Sequence, residues 1–156
     1  MKSDMKVRQP ERSEYSLWRG LCLCVISIYA LCLLYWMFIG FGRTRHTSGP
    51  LNYNVIPFET IRLYVKSMNK LPNHLWIINI LGNIGVFVPF GVMLPNICKP
   101  MQSWFRMTIA FVPCILLLET MQMLLRVGSF DVDDVILNTL GMWIGLLIYS
   151  LFRRAS

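Results

Sequence analysis

Charge is scarce in this chain. Asp, Glu, Lys and Arg make up 15% of its 156 residues while 55% are hydrophobic, where a soluble domain carries charge on about a quarter of its positions. Such a shortage excludes a disordered chain, a coiled coil, a soluble enzyme and a secreted disulfide scaffold, because each interleaves charge with its apolar residues or replaces them by it. Histidine is nearly missing: His46 and His74 stand alone, and the five cysteines include no CxxC pair. No zinc ligand set, no metal site and no cofactor is therefore expected. Internal repeats and low-complexity tracts are absent, and so is the alternating apolar and polar pattern of an outer-membrane barrel strand.

What the chain does contain is a set of long uncharged runs. Residues 21–41, 75–98 and 135–152 have no Asp, Glu, Lys or Arg, and residues 107–125 have only Glu119. These 82 residues hold 1 of the 23 charges. About 20 residues carry a helix across the roughly 30 Å hydrocarbon layer. The expected fold class is thus all-α: a polytopic membrane protein with four transmembrane helices at about residues 18–41, 75–95, 104–125 and 134–152. A basic amino-terminal tail, residues 1–16, precedes one membrane domain, residues 17–156. The run after the tail is too long for a secretory leader and lacks a small-residue cleavage site, so the first helix is expected to stay uncleaved.

Four spans put both termini on one side. That side would carry nine Lys and Arg residues and the other six, which places both termini in the cytoplasm. The net charge of +7 is accounted for by anionic lipid headgroups, so membrane lipids are expected as partners and nucleic acid is not. Residues 44–50 read as a polar turn. After it, Asn54, Pro57 and Phe58 open a segment in which Pro57 suits a helix start and positions 58, 61 and 65 share an apolar face, the pattern of a short interfacial helix in the first extracellular loop.

Polar side chains within the spans are costly, and each marks a candidate site. Asn79 and Asn83 share one helical face; Glu119, Gln122 and Arg126 share another; Asp134, Asn138, Gly141 and Gly145 form a third stripe. With alternating chain direction, these groups converge on the outer half of the bilayer, where Asp131, Asp133 and Asp134 add carboxylates. Asn83, Glu119, Gln122, Arg126, Asp131, Asp134 and Asn138 are the candidate pocket. Plainer roles compete. The asparagines suit interhelical hydrogen bonds, the GxxxG pair suits close packing, and the aspartates suit the positive end of the fourth helix, Asp131 and Asp134 resembling a capping box. Glu119 can be offset by Arg126 or be protonated against Gln122 or Asn83.

Taken in order, Asn54-x-x-Pro57-Phe58, Gly82-Asn83-x-x-x-Phe87-x-Pro89-Phe90-Gly91, Glu119-x-x-Gln122, Phe130-Asp131-Val132-Asp133-Asp134-Val135 and Asn138-Thr139-x-Gly141-x-x-x-Gly145 resemble the VanZ-like membrane proteins from about residue 51 to the C-terminus. The resemblance implies a protein of the bacterial plasma membrane, typical of Gram-positive organisms, in a family whose founding member is associated with low-level resistance to the lipid-tailed glycopeptide teicoplanin. Gly82, Pro89, Gly91, Gly141 and Gly145 are expected at helix contacts. The first expectation for function is an outward polar pocket that binds an amphipathic ligand, a lipoglycopeptide or a lipid-linked cell-wall intermediate. The alternatives are an intramembrane enzyme acting on such a precursor or a phospholipid, with Glu119 or Asp134 as general base, and a small transporter.

Overall fold

A computed structural model describes residues 11–40, 49–66 and 73–155. The expected polar turn at residues 44–50 therefore lies largely outside the described residues, as does the first part of the amino-terminal tail. Six helices follow in order: α1 (Glu11–Phe38), α2 (Glu59–Lys66), α3 (Asn73–Gly85), α4 (Val88–Ile97), α5 (Trp104–Leu124) and α6 (Val132–Ala155). Four segments are long and apolar enough to cross a membrane: Leu17–Phe38, Asn79–Ile97, Trp104–Leu124 and Val132–Arg154. The first helix begins at Glu11, inside the stretch expected as tail.

The second span departs from the unbroken helix expected over 75–95. It is interrupted at Val86 and Phe87, between α3 and α4. Pro89 explains the break, since it has no N–H to give the Gly85 carbonyl and its ring crowds that oxygen. Proline is tolerated in the first turn of a helix, and Pro89 stands in the first turn of α4. The interruption is closed from the side: the Tyr29 hydroxyl of α1 donates to the Val86 carbonyl at 2.9 Å. Within a bilayer a carbonyl at such a break needs a protein partner.

The last helix, α6, is the centre of the bundle; its span is 44% buried against 17% for the first span. The core is a cluster that includes Phe87, Met107, Phe111, Ile115, Met142 and Leu146, with the Phe87 and Phe111 rings edge to face at 5.4 Å. Leu21, Ile28, Leu31, Phe105 and Leu117 are exposed, as an apolar surface is when its solvent is lipid. Backbones meet at the glycines. A methyl group at Gly141 would lie 2.0 Å from the Ile84 carbonyl oxygen, and one at Gly91 would lie 2.0 Å from that of Met142. Gly145 meets Val88 and Gly91 in the same way, so α6 lies against α3 and α4 with no side chain between. Gly82 is the exception to the expected packing set. A methyl there would touch nothing within 4 Å.

One end of the bundle holds the start of α1, the end of α4, the start of α5 and the end of α6; Arg19 ties it by donating to the Ile97 carbonyl at 2.7 Å. At the opposite end a two-residue parallel bridge pairs β1 (Tyr53–Asn54) with β2 (Phe130–Asp131). That bridge lays the loop carrying α2 across the start of α6.

Candidate functional site

The three neighbouring aspartates at the start of α6 do different work. Asp131 precedes the helix, and its Oδ1 accepts the Asp133 N–H at 2.9 Å, an N-cap. It also accepts the Asn54 amide at 3.2 Å and, through Oδ2, the Thr60 hydroxyl at 2.6 Å. Asp133 is fully buried and reaches the other way, accepting the N–H groups of Phe58 and Ile61 at 2.5 and 3.0 Å. It thereby caps α2 from a different element. Phe58 has a φ of 65°, a costly conformation for a bulky residue, and the bond to Asp133 holds it there. Asn54 folds its own turn by accepting the Ile56 N–H at 2.9 Å. Pro57 and Phe58 are exposed.

Asp134 points toward neither of these anchors. It accepts the Asn83 side-chain amide at 2.5 Å, and the two residues stand between two hollows. The deeper one, about 260 Å³, is lined on its polar side by Asn83, Glu119, Gln122, Asp134 and Asn138, and on its apolar side by Leu33, Trp36, Met37, Val86 and Phe87. Gly82 opens onto it as well. The shallower one, about 180 Å³, lies under α2 and is lined by Tyr64, Asn79, Ser129, Asp131 and Asp133 together with the shared Asn83 and Asp134.

Five of the seven pocket residues expected from sequence thus meet in the deeper hollow, and Asp131 falls in the shallower one. Arg126 lines neither. It follows the end of α5 with a φ of 58°, which turns the chain out of the helical stripe, and its guanidinium donates to the Gly49 carbonyl at 2.7 Å. Among the pocket residues, Glu119 is 3% exposed and Asn138 2%. Gln122 donates to the Met37 carbonyl at 2.9 Å, joining α5 to the end of α1. The Oδ1 of Asn138 is buried with no hydrogen-bond partner among the described residues. An orphaned acceptor of this kind costs about 1–3 kcal/mol, and a ligand or water donor would recover it.

Tyr64 and Thr60 escaped the sequence reading. Their signal was a spacing of four on α2, beside Ile61, which lines the same hollow. Burial pushes the Tyr64 phenol above the ordinary tyrosine value, and the charges of Asp134 and Asp131 push it further the same way. It is therefore a neutral donor at physiological pH.

A bundle of four apolar spans around a polar hollow with a carboxyl, three amides and a second carboxyl is that of a multi-pass membrane protein. The chain belongs to the VanZ/LLP1 family, whose model matches residues 26–153. It is 31% identical over 107 residues to Protein VanZ of Enterococcus faecium. That alignment covers 67% of this chain, which spans 64% of the relative's length. No solved structure matches the chain.

Proposed function

We propose that this protein lowers the sensitivity of its host to a lipid-tailed glycopeptide of the teicoplanin type by binding an amphipathic ligand in the deeper hollow. The observation that carries the reading is the composition of that hollow, a polar side set against a larger apolar one, with Glu119, Gln122 and Asn138 buried in it. With both termini cytoplasmic, as the distribution of Lys and Arg favours, the hollow lies in the outer half of the plasma membrane and α2 lies along the outer surface. Size limits the ligand. Drug-sized molecules occupy about 300–1,000 Å³, and 260 Å³ admits a headgroup or part of an acyl chain rather than a whole glycopeptide. The reading therefore favours capture of the lipid tail or of a lipid-linked wall intermediate. The test is teicoplanin and vancomycin susceptibility of a sensitive Gram-positive host expressing wild type or Glu119→Ala at matched membrane levels. Selective protection against teicoplanin that is lost in the variant is the expected result. A variant that protects as well as wild type removes the site.

A second reading rests on the two carboxyls, Glu119 and Asp134, in one cavity. Groups of this type perform general acid and base work when their environments differ, here on a lipid-linked precursor or phospholipid. Purified protein that converts labelled precursor, and loses the conversion with Glu119→Gln, would favour it. Unchanged precursor and phospholipid would end it.

A further inference from the structure

A second, larger cavity lies at the opposite end of the bundle, outside the site described above. It measures about 720 Å³ and opens between the end of α4, the turn at Lys99–Gln102 and the last turns of α6, with Lys99, Arg153, Gln102, Asn96, Tyr149 and Phe152 around it. A neighbouring hollow of about 280 Å³ shares Gln102, Tyr149 and Arg153 and adds Arg154. Three cations line the pair, and no Asp or Glu does so among the described residues.

Part of this charge has a local explanation. The carboxyl ends of α4 and α6 lie here, each presenting about −0.5 of a charge. Two such ends offset about one of the three cations, which leaves an excess near +2 across the two adjoining hollows. Arg153 is also held in place: it donates to the side-chain oxygen of Gln102, whose amide donates to the Pro95 carbonyl at 3.1 Å. That bond occupies one donor of a guanidinium that has five, and the remaining fork suits phosphate oxygens. Tyr149 and the exposed Phe152 supply an apolar wall beside the cations, which a free anion would not use and an acyl chain would.

We propose that this hollow binds the headgroup of a lipid carrying two phosphate charges, gripped by Lys99, Arg153 and Arg154. The site does not depend on the function assigned to the polar hollow at the other end. The experiment uses the full chain in nanodiscs of phosphatidylcholine, to which cardiolipin or, at equal total charge, phosphatidylglycerol is added, and reads retained lipid by native mass spectrometry. Cardiolipin should be retained preferentially. Each cation beside an anionic lipid is worth roughly a factor of five, so the combined Lys99→Gln, Arg153→Gln, Arg154→Gln variant should bind cardiolipin about a hundredfold more weakly. All three residues are exposed, so its melting temperature should match wild type. The control variant Arg62→Gln, Lys66→Gln, which removes cations from α2, should leave retention unchanged. Equal retention of the two lipids, cardiolipin binding that survives the triple substitution, or inorganic diphosphate binding as tightly as cardiolipin would each overturn the proposal.

Discussion

Asp133 shows how much one carboxylate can carry when it is buried against backbone. Its two oxygens satisfy two N–H groups at the start of α2, so removing them strands two donors at about 1–3 kcal/mol each. Asp133→Ala should therefore cost about 3 kcal/mol, and hydrogen exchange should quicken across residues 58–66 while α5 keeps its protection. Tyr64, beside the same anchor, gives a pH signature. A phenol whose folded value is raised contributes stability that is complete below its unfolded value of about 10 and is lost as pH rises through the folded one. Wild type should accordingly weaken more steeply than Tyr64→Phe above pH about 10, as read by thermal melts in detergent; parallel curves would show that burial of this phenol is energetically idle. That Glu119 and Asn138 are candidates could be read from sequence, because a polar residue inside an apolar run stands out along one dimension, and both line the hollow. The duty of Asp133 could not, because its partners lie more than seventy residues away and nothing in Asp131-Val132-Asp133-Asp134 says which carboxylate turns toward which neighbour.

At the scale of the element, the seams between helices are narrower than any side chain. Gly141→Ala drives a methyl into the Ile84 carbonyl, and overpacking of this kind costs about 1–3 kcal/mol or more where backbone must move. The expected result is a protein that inserts but melts earlier, with a larger loss than Gly82→Ala, which has open space and should instead narrow the polar hollow. The GxxxG spacing made the first effect legible. Gly82 looked alike in sequence and behaves differently because it faces the cavity rather than a neighbouring helix. The break at Val86 is itself the larger surprise, although Pro89 announces it: apolar length is read over a whole span, and a proline tolerated in one helix interrupts another according to what can satisfy the carbonyls at the break. Here Tyr29 satisfies the Val86 carbonyl. Tyr29→Phe should leave that oxygen unpaired at membrane depth and destabilise the bundle by about 1–3 kcal/mol, measured by unfolding in detergent.

At the scale of the molecule, the bundle has two unlike ends. One gathers Lys99, Arg153 and Arg154 around open hollows; the other ties α2, the parallel bridge and the aspartates over the polar hollow. The number of spans was legible because hydrocarbon thickness imposes a length that a sequence must show. Their sidedness is indicated in sequence only by a majority of basic residues, a bias summed over the loops and the amino-terminal tail. The two unlike ends turn that bias into a physical expectation: the cationic end should face the negative surface potential of the cytoplasmic leaflet, and the aspartate end should face outward. Single cysteines can read this directly in a chain whose five native cysteines are all free and are replaced by serine. In intact cells a membrane-impermeant maleimide should label Ser129→Cys, in the loop before α6, and leave Lys99→Cys unmodified until the membrane is permeabilised. Labelling of Lys99→Cys alone in intact cells would invert the protein, move the polar hollow to the inner leaflet and place Glu119 beyond reach of a glycopeptide acting outside.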